Sequence, residues 1–152
     1  YSVKASFFCC GQNADANPEL LKKIADEGHT IGYHSYSHKD ILKTKPSEWI
    51  ADVERKSALS DVKLFRPPYG RILFRHYRRL KLKYKFVFWD VMSYDYDVTR
   101  SPESIMSLLE KSVREGSVVV FHDKGKCKEN TLAVLPQFIE LMKSKEYSFG
   151  VL

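Results

Sequence analysis

Apolar positions in this chain fall into two alternating kinds of stretch. Short runs without helical spacing, at residues 3–9, 29–33, 63–66, 85–89, 117–121 and 148–152, predict buried strands. Between them apolar residues recur every three or four positions, which predicts helices. Asn17-Pro18-Glu19 reads as a cap and a first-turn proline, with Leu20, Leu21, Ile24 and Ala25 as the inward stripe and Gly28 as the stop. A second helix over 47–59 turns Trp49, Ile50 and Val53 inward, and a basic helix spans 71–82. Ser101-Pro102-Glu103 repeats the cap signal ahead of Ile105, Leu108, Leu109 and Val113, and a last helix covers 131–143. Strands alternating with helices argue for a parallel sheet or barrel with the helices outside.

Composition narrows the class. At 152 residues the chain is read as a single domain, 1–152, and 43% apolar with 13% aromatic content excludes disorder. No apolar stretch nears the roughly 20 residues of a membrane helix, so no membrane span is expected, and no signal peptide is visible. The chain opens at Tyr1 without methionine and runs straight into an apolar strand, so it is expected to begin in mid-protein. The net charge of +6 concentrates in Arg71, Arg75, Arg78, Arg79, Lys81, Lys83 and Lys85. No nucleic-acid recognition motif accompanies that run, so a solvated helix face is preferred and no nucleic-acid partner is expected. Cys9, Cys10 and Cys127 make neither a disulfide framework nor a C-x-x-C metal site.

The polar residues with chemical potential follow the predicted strands. They are His34-Ser35-Tyr36-Ser37-His38, Arg66-Pro67-Pro68-Tyr69-Gly70, Trp89-Asp90 with Asp95-Tyr96, and His122-Asp123. In α/β folds ligand sites form at the carboxyl ends of strands, where all four clusters fall. No G-x-S-x-G elbow supports a serine hydrolase. Metal-assisted hydrolysis fits better: His34 and His38 would bind a divalent metal, a carboxylate would take the proton of the attacking water, and His122 would protonate the leaving group.

In their order, H-S-x-S-H, R-P-P-Y-G, W-D…D-Y and V-V-F-H-D resemble the polysaccharide deacetylase family, carbohydrate esterase family four. Val3-Lys4-Ala5-Ser6-Phe7-Phe8 is similar to that family's "vkATFF" strand, and Glu27-Gly28-His29-Thr30-Ile31-Gly32 to its "GHEIGNH" lead-in. The resemblance implies a distorted (β/α) barrel, here expected to lack its first strand and helix. It implies removal of acetyl groups from N-acetylated sugars in a polysaccharide, peptidoglycan or chitin-like, with a divalent metal, zinc first, held by His34 and His38. By the same resemblance Arg66 orients the catalytic aspartate and the Tyr69 N–H helps bind the oxyanion. Asp95 tunes the catalytic His122, Val120 meets the acetyl methyl, and Tyr96 stands where the family has tryptophan.

One departure is serious. The family's T-F-D-D-G-P motif, source of the catalytic base and the third metal ligand, does not occur in this sequence, and neither Asp15 nor Asp26 has flanks to replace it. The chain by itself is therefore expected to be weakly active or inactive. Two other functions stay open: a catalytically dead sugar-binding or scaffold domain, and a hydrolase of a small non-sugar amide. Taken singly, R-P-P-Y-G could be a strand-ending turn, and Asp95 and Asp97 solvated loop acids. Trp89 reads as core or pocket wall, His29 as structural and His76 as surface. Oligomeric state and compartment are open, with an extracytoplasmic or cell-envelope setting favoured by the substrate class.

Overall fold

Every strand pairing in the molecule is parallel, which requires long crossover connections between the strands, and helices supply them. The computed structural model describes residues 1–152, which divide into two compact units: 3–88 with 150–152, and 1–2 with 89–149.

In the first unit, β1 (Ser6–Cys9), β2 (Thr30–Tyr33), β3 (Leu64–Phe65) and β4 (Lys85–Phe86) form one sheet in sequence order. Helices α2 (Pro18–Asp26), α3 (Pro46–Glu54) and α4 (Phe74–Leu80) make the crossovers. Tyr33, Trp49, Phe65 and Leu80 lie at the centre of the core, each no more than 2% exposed. Cys9 faces Tyr33 across the ladder, and Tyr33 faces Phe65. The ladder runs one residue past the strands, with His34 N–H bonded to Cys9 O at 2.9 Å and Arg66 N–H to Tyr33 O at 3.0 Å. The residues that follow β2 and β3 thus leave the sheet from one edge.

In the second unit, β5 (Val91–Met92) pairs with β6 (Val119–Val120). Helices α5 (Pro102–Ser112) and α6 (Lys128–Ser144) enclose a core of Val91, Ile105, Leu109, Val134, Phe138 and Met142. Ser101 caps α5 as expected, its Oγ accepting the Ser104 N–H.

Several sequence expectations are corrected. The strand at 85–89 stops at Phe86, and a separate strand begins at Val91. Residues 148–152 form no strand: Phe149 packs edge-on against Phe138, and Leu152 N–H bonds the Ser6 hydroxyl rather than a ladder carbonyl. The short polar helix α1 (Gly11–Ala16) has no apolar stripe to announce it. Asn17 does not cap α2 with its side chain, which donates instead to Asn13 O. His76 is not a surface residue. It is 6% exposed and stacks on Trp49 at 5.3 Å, because residues 73, 76 and 80 share the inward face of an otherwise basic helix. Burial, then the charges of Arg75 and Arg79, push its pKa down.

Candidate active site

The loop after β2 holds two imidazoles close together. The His34 and His38 rings lie 4.8 Å apart between centroids, at 70° to each other. His34 Nδ1 sits 2.6 Å from Arg66 O. A carbonyl only accepts, so Nδ1 carries the proton and Nε2 the lone pair, the tautomer that suits a metal ligand. His38 adopts φ 59°, a left-handed conformation rare outside glycine, as does Ser35 at 62°. Both serines of the motif are engaged. Ser35 Oγ accepts the His38 N–H at 3.0 Å, and Ser37 N–H and Oγ reach the buried Asp52 carboxylate at 3.1 and 2.5 Å.

Arg66 and Tyr69 meet this loop from the next strand end. The Arg66 guanidinium lies 4.0 Å over the Phe8 ring and donates toward Val87 O and Phe88 O at 3.3 and 3.5 Å. Burial draws its pKa down to about 10, so it stays a cation at neutral pH. Phe8 can lie there because residue 32 is glycine, where a Cβ would come within 2.5 Å of the Phe8 ring. Tyr69, at φ 58°, sets its ring edge-on to His38 at 4.9 Å.

In the second unit a fully buried carboxylate gathers four donors. Asp95 Oδ1 accepts from Ser93 Oγ at 2.9 Å and His122 Nδ1 at 2.7 Å; Oδ2 accepts from His122 N–H and Thr131 Oγ1, both at 2.7 Å. Burial alone would raise the Asp95 pKa, but the bonds from His122 and Thr131 outweigh it and hold the carboxyl below its ordinary value. The bond orients the imidazole, with Nε2 on the opposite side of the ring from Asp95. Tyr96 meets that ring edge-on at 5.1 Å. Such a dyad can hold a protonated imidazole in a fixed direction.

Asp90 and Asp97 are otherwise occupied. Asp90 is held low chiefly by the Val118 N–H, with Ser117 also bonded, and so ties the starts of β5 and β6 together. Asp97 is held low by Thr99, whose turn it organises. Val120 is buried on β6. Trp89 is half-buried and lines an open groove of about 310 Å³ with Tyr94 and Leu108. His29 is structural, accepting the Ala5 N–H.

Sequence reading missed Asp52, Ser93 and Thr131. The alternation of serine with histidine in H-S-Y-S-H was a usable signal for a side-chain-pinned loop, but nothing marked the partners. No group of three or more His, Cys, Asp or Glu side chains gathers into a metal-holding array. The His34–His38 pair, one ring with its tautomer fixed, fits as two nitrogen ligands of a borderline divalent cation.

The sequence model of the polysaccharide deacetylase family matches residues 1–87. A peptidoglycan-N-acetylglucosamine deacetylase of Bacillus cereus is 30% identical over 165 residues, covering 98% of this chain and 73% of that protein. A bifunctional xylanase/deacetylase of Pseudobutyrivibrio xylanivorans is 31% identical over 157 residues, 98% of this chain. The chain spans only 25% of that protein and 58% of another Bacillus cereus peptidoglycan-N-acetylglucosamine deacetylase. Among solved structures, a peptidoglycan N-acetylglucosamine deacetylase in complex with 4-naphthalen-1-yl-N-oxidanyl-benzamide superposes with TM-score 0.85 at 30% identity, over 99% of this chain and 73% of the other. A family 4 carbohydrate esterase from Streptomyces lividans in complex with acetate gives 0.79 at 28%, over 97% and 78%. The fold class is therefore the (β/α) barrel type of these relatives. With the family model matching more than half of its length and these likenesses spanning nearly all of it, this chain belongs to the polysaccharide deacetylase family.

Proposed function

We propose that this chain belongs to the catalytic domain of a metal-dependent hydrolase that removes acetyl groups from N-acetylated sugars of a polysaccharide, peptidoglycan foremost. The observation that carries the reading is the Asp95–His122 pair: a ring held at 2.7 Å by a buried carboxylate with four donors is the arrangement a general acid needs. The relatives named as peptidoglycan deacetylases support the substrate class.

His34 and His38 would hold the metal, and the donor chemistry favours zinc. A divalent cation held there would supply Lewis acidity, for polarising a carbonyl and lowering the pKa of water. His122 gives the proton to the sugar nitrogen as the amide C–N bond breaks, and Asp95 keeps the ring aimed and balances its charge. Val120 offers an apolar wall to the acetyl methyl. Arg66 orients a carboxylate and the Tyr69 N–H supports the oxyanion. Nothing within residues 1–152 joins the two imidazoles as an acidic ligand, so the isolated chain should turn over weakly.

The test is acetate release from peptidoglycan and from chitin by the protein at its natural length, loaded with zinc. Release that depends on zinc supports the reading. A zinc-loaded protein that binds these polymers yet frees no acetate would overturn it. That outcome belongs to a second reading, a sugar-binding scaffold of the same fold, favoured by the lack of a third ligand beside the histidine pair.

A further inference from the structure

Residues 37, 38 and 39 are pinned at three consecutive points of the backbone. Ser37 N–H is held by Asp52, His38 N–H by Ser35 Oγ, and Lys39 O accepts from Trp49 Nε1 at 3.1 Å. Two of the three pins come from one face of α3, since Trp49 and Asp52 are three residues apart. That face is itself immobilised. Trp49 is 1% exposed and stacked on His76, and Asp52 O accepts the hydroxyl of Tyr33, the residue just before His34.

The pinned residue is His38, whose left-handed backbone is unfavourable for a side chain that size and persists only where surroundings over-determine it. Ser37 is solvent-exposed, so burial of its own side chain does not explain why a buried carboxylate accepts both its donors. The consequence of that double bond is the direction of the next residue. We propose that Asp52 and Trp49 are positioning residues that hold the His38 imidazole ready for metal before any metal arrives. This rests on the reading that His34 and His38 are ligands. A ligand that must be ordered at the moment of binding weakens affinity; one already ordered does not.

The experiment measures zinc affinity by chelator competition, with melting temperature alongside, for the natural-length protein and its Ser37→Ala, Ser37→Thr, Asp52→Asn and His38→Ala variants. Ser37→Ala touches only an exposed side chain, so it tests the clamp even if Asp52→Asn folds poorly. Ser37→Ala and Asp52→Asn should bind zinc roughly ten- to hundredfold more weakly. Ser37→Ala should melt within a few degrees of wild type, and Ser37→Thr, which keeps the hydroxyl, should recover most of the affinity. If Ser37→Ala and Asp52→Asn bind zinc like wild type while His38→Ala loses it, the clamp is wrong and the ligand assignment stands. If His38→Ala binds like wild type, or wild type binds no zinc, the ligand assignment fails and the clamp falls with it. A Ser37→Thr variant as weak as Ser37→Ala, or affinity losses that only follow lost stability, would also overturn the proposal.

Discussion

The histidine loop of residues 34–38 and the Asp95–His122 pair both fix an imidazole through Nδ1, at nearly equal distances of 2.6 and 2.7 Å. Their partners differ in charge. A main-chain carbonyl fixes the tautomer of His34 and offers nothing to balance a positive ring, which suits a neutral nitrogen ligand. A carboxylate fixes the orientation of His122 and compensates the charge the ring gains on protonation, which suits an acid. The supports differ too. The loop is shaped by local pins on a strained backbone, whereas the pair hangs from one buried carboxylate whose four acceptor contacts are all filled. One residue type is thus set in two environments, matching the two roles proposed for it, metal ligand at His34 and acid at His122.

The sharpest way to break this contrast is to delete each ring and read two quantities. His122→Ala should lower acetate release by roughly a hundred- to ten-thousandfold and leave zinc content unchanged. His34→Ala or His38→Ala should remove the bound zinc itself, because a small ligand set tolerates no missing member. Zinc analysis of dialysed protein decides the matter, and loss of zinc in His122→Ala would erase the distinction drawn between the rings.

A smaller effect tests the supports. Asp95→Ala leaves the donors of Ser93 and His122 without their acceptor inside the protein and Thr131 with only the longer bond to His122 O, and should cost about 3 kcal/mol in urea unfolding. The same carboxyl sets a pH dependence. Its native pKa lies below the unfolded one, so the unfolded chain binds the proton first as pH falls. Its contribution is therefore complete above the unfolded value of about 4 and is lost as pH drops through the native value. Urea midpoints between pH 7 and pH 2 should fall less steeply in Asp95→Ala than in wild type.

Smallest is a change far from either histidine. Ser101→Ala removes the one side-chain cap bond of α5 and should lower stability by about 1 kcal/mol, with zinc affinity untouched. A shift in zinc affinity would mean that the core of residues 89–149 bears on the histidine loop, and the two regions could not be read as separate devices.

The parallel strands, α5 with its serine cap, and the placement of His34, Arg66, Asp95 and His122 just past strand ends were all legible from apolar spacing and motif order. Those features depend on local pattern, which a sequence displays directly. What was illegible needed partners far along the chain. Asp52 meets Ser37 across 15 positions and Thr131 meets Asp95 across 36. His76 looked like a surface residue because Phe74, Arg75, Tyr77, Arg78 and Arg79 flank it in sequence, while the fold turns its own face inward onto Trp49. Residues 148–152 have a strand's composition and no strand, since composition reports apolarity but not which hydrogen-bond partner is within reach.

The sequence by itself determined the alternation of elements, the family, and which imidazoles and carboxylates stand at the strand ends, because these follow from residue type and spacing. Only the tertiary structure decided which nitrogen of His34 carries the proton, that Asp95 rather than Asp90 or Asp97 holds His122, and that α3 grips the residue between the two loop imidazoles. The reason is physical: spacing along a chain sets which residues can share an edge, but a tautomer, a buried charge and a strained backbone are fixed by the groups that the completed fold places against them.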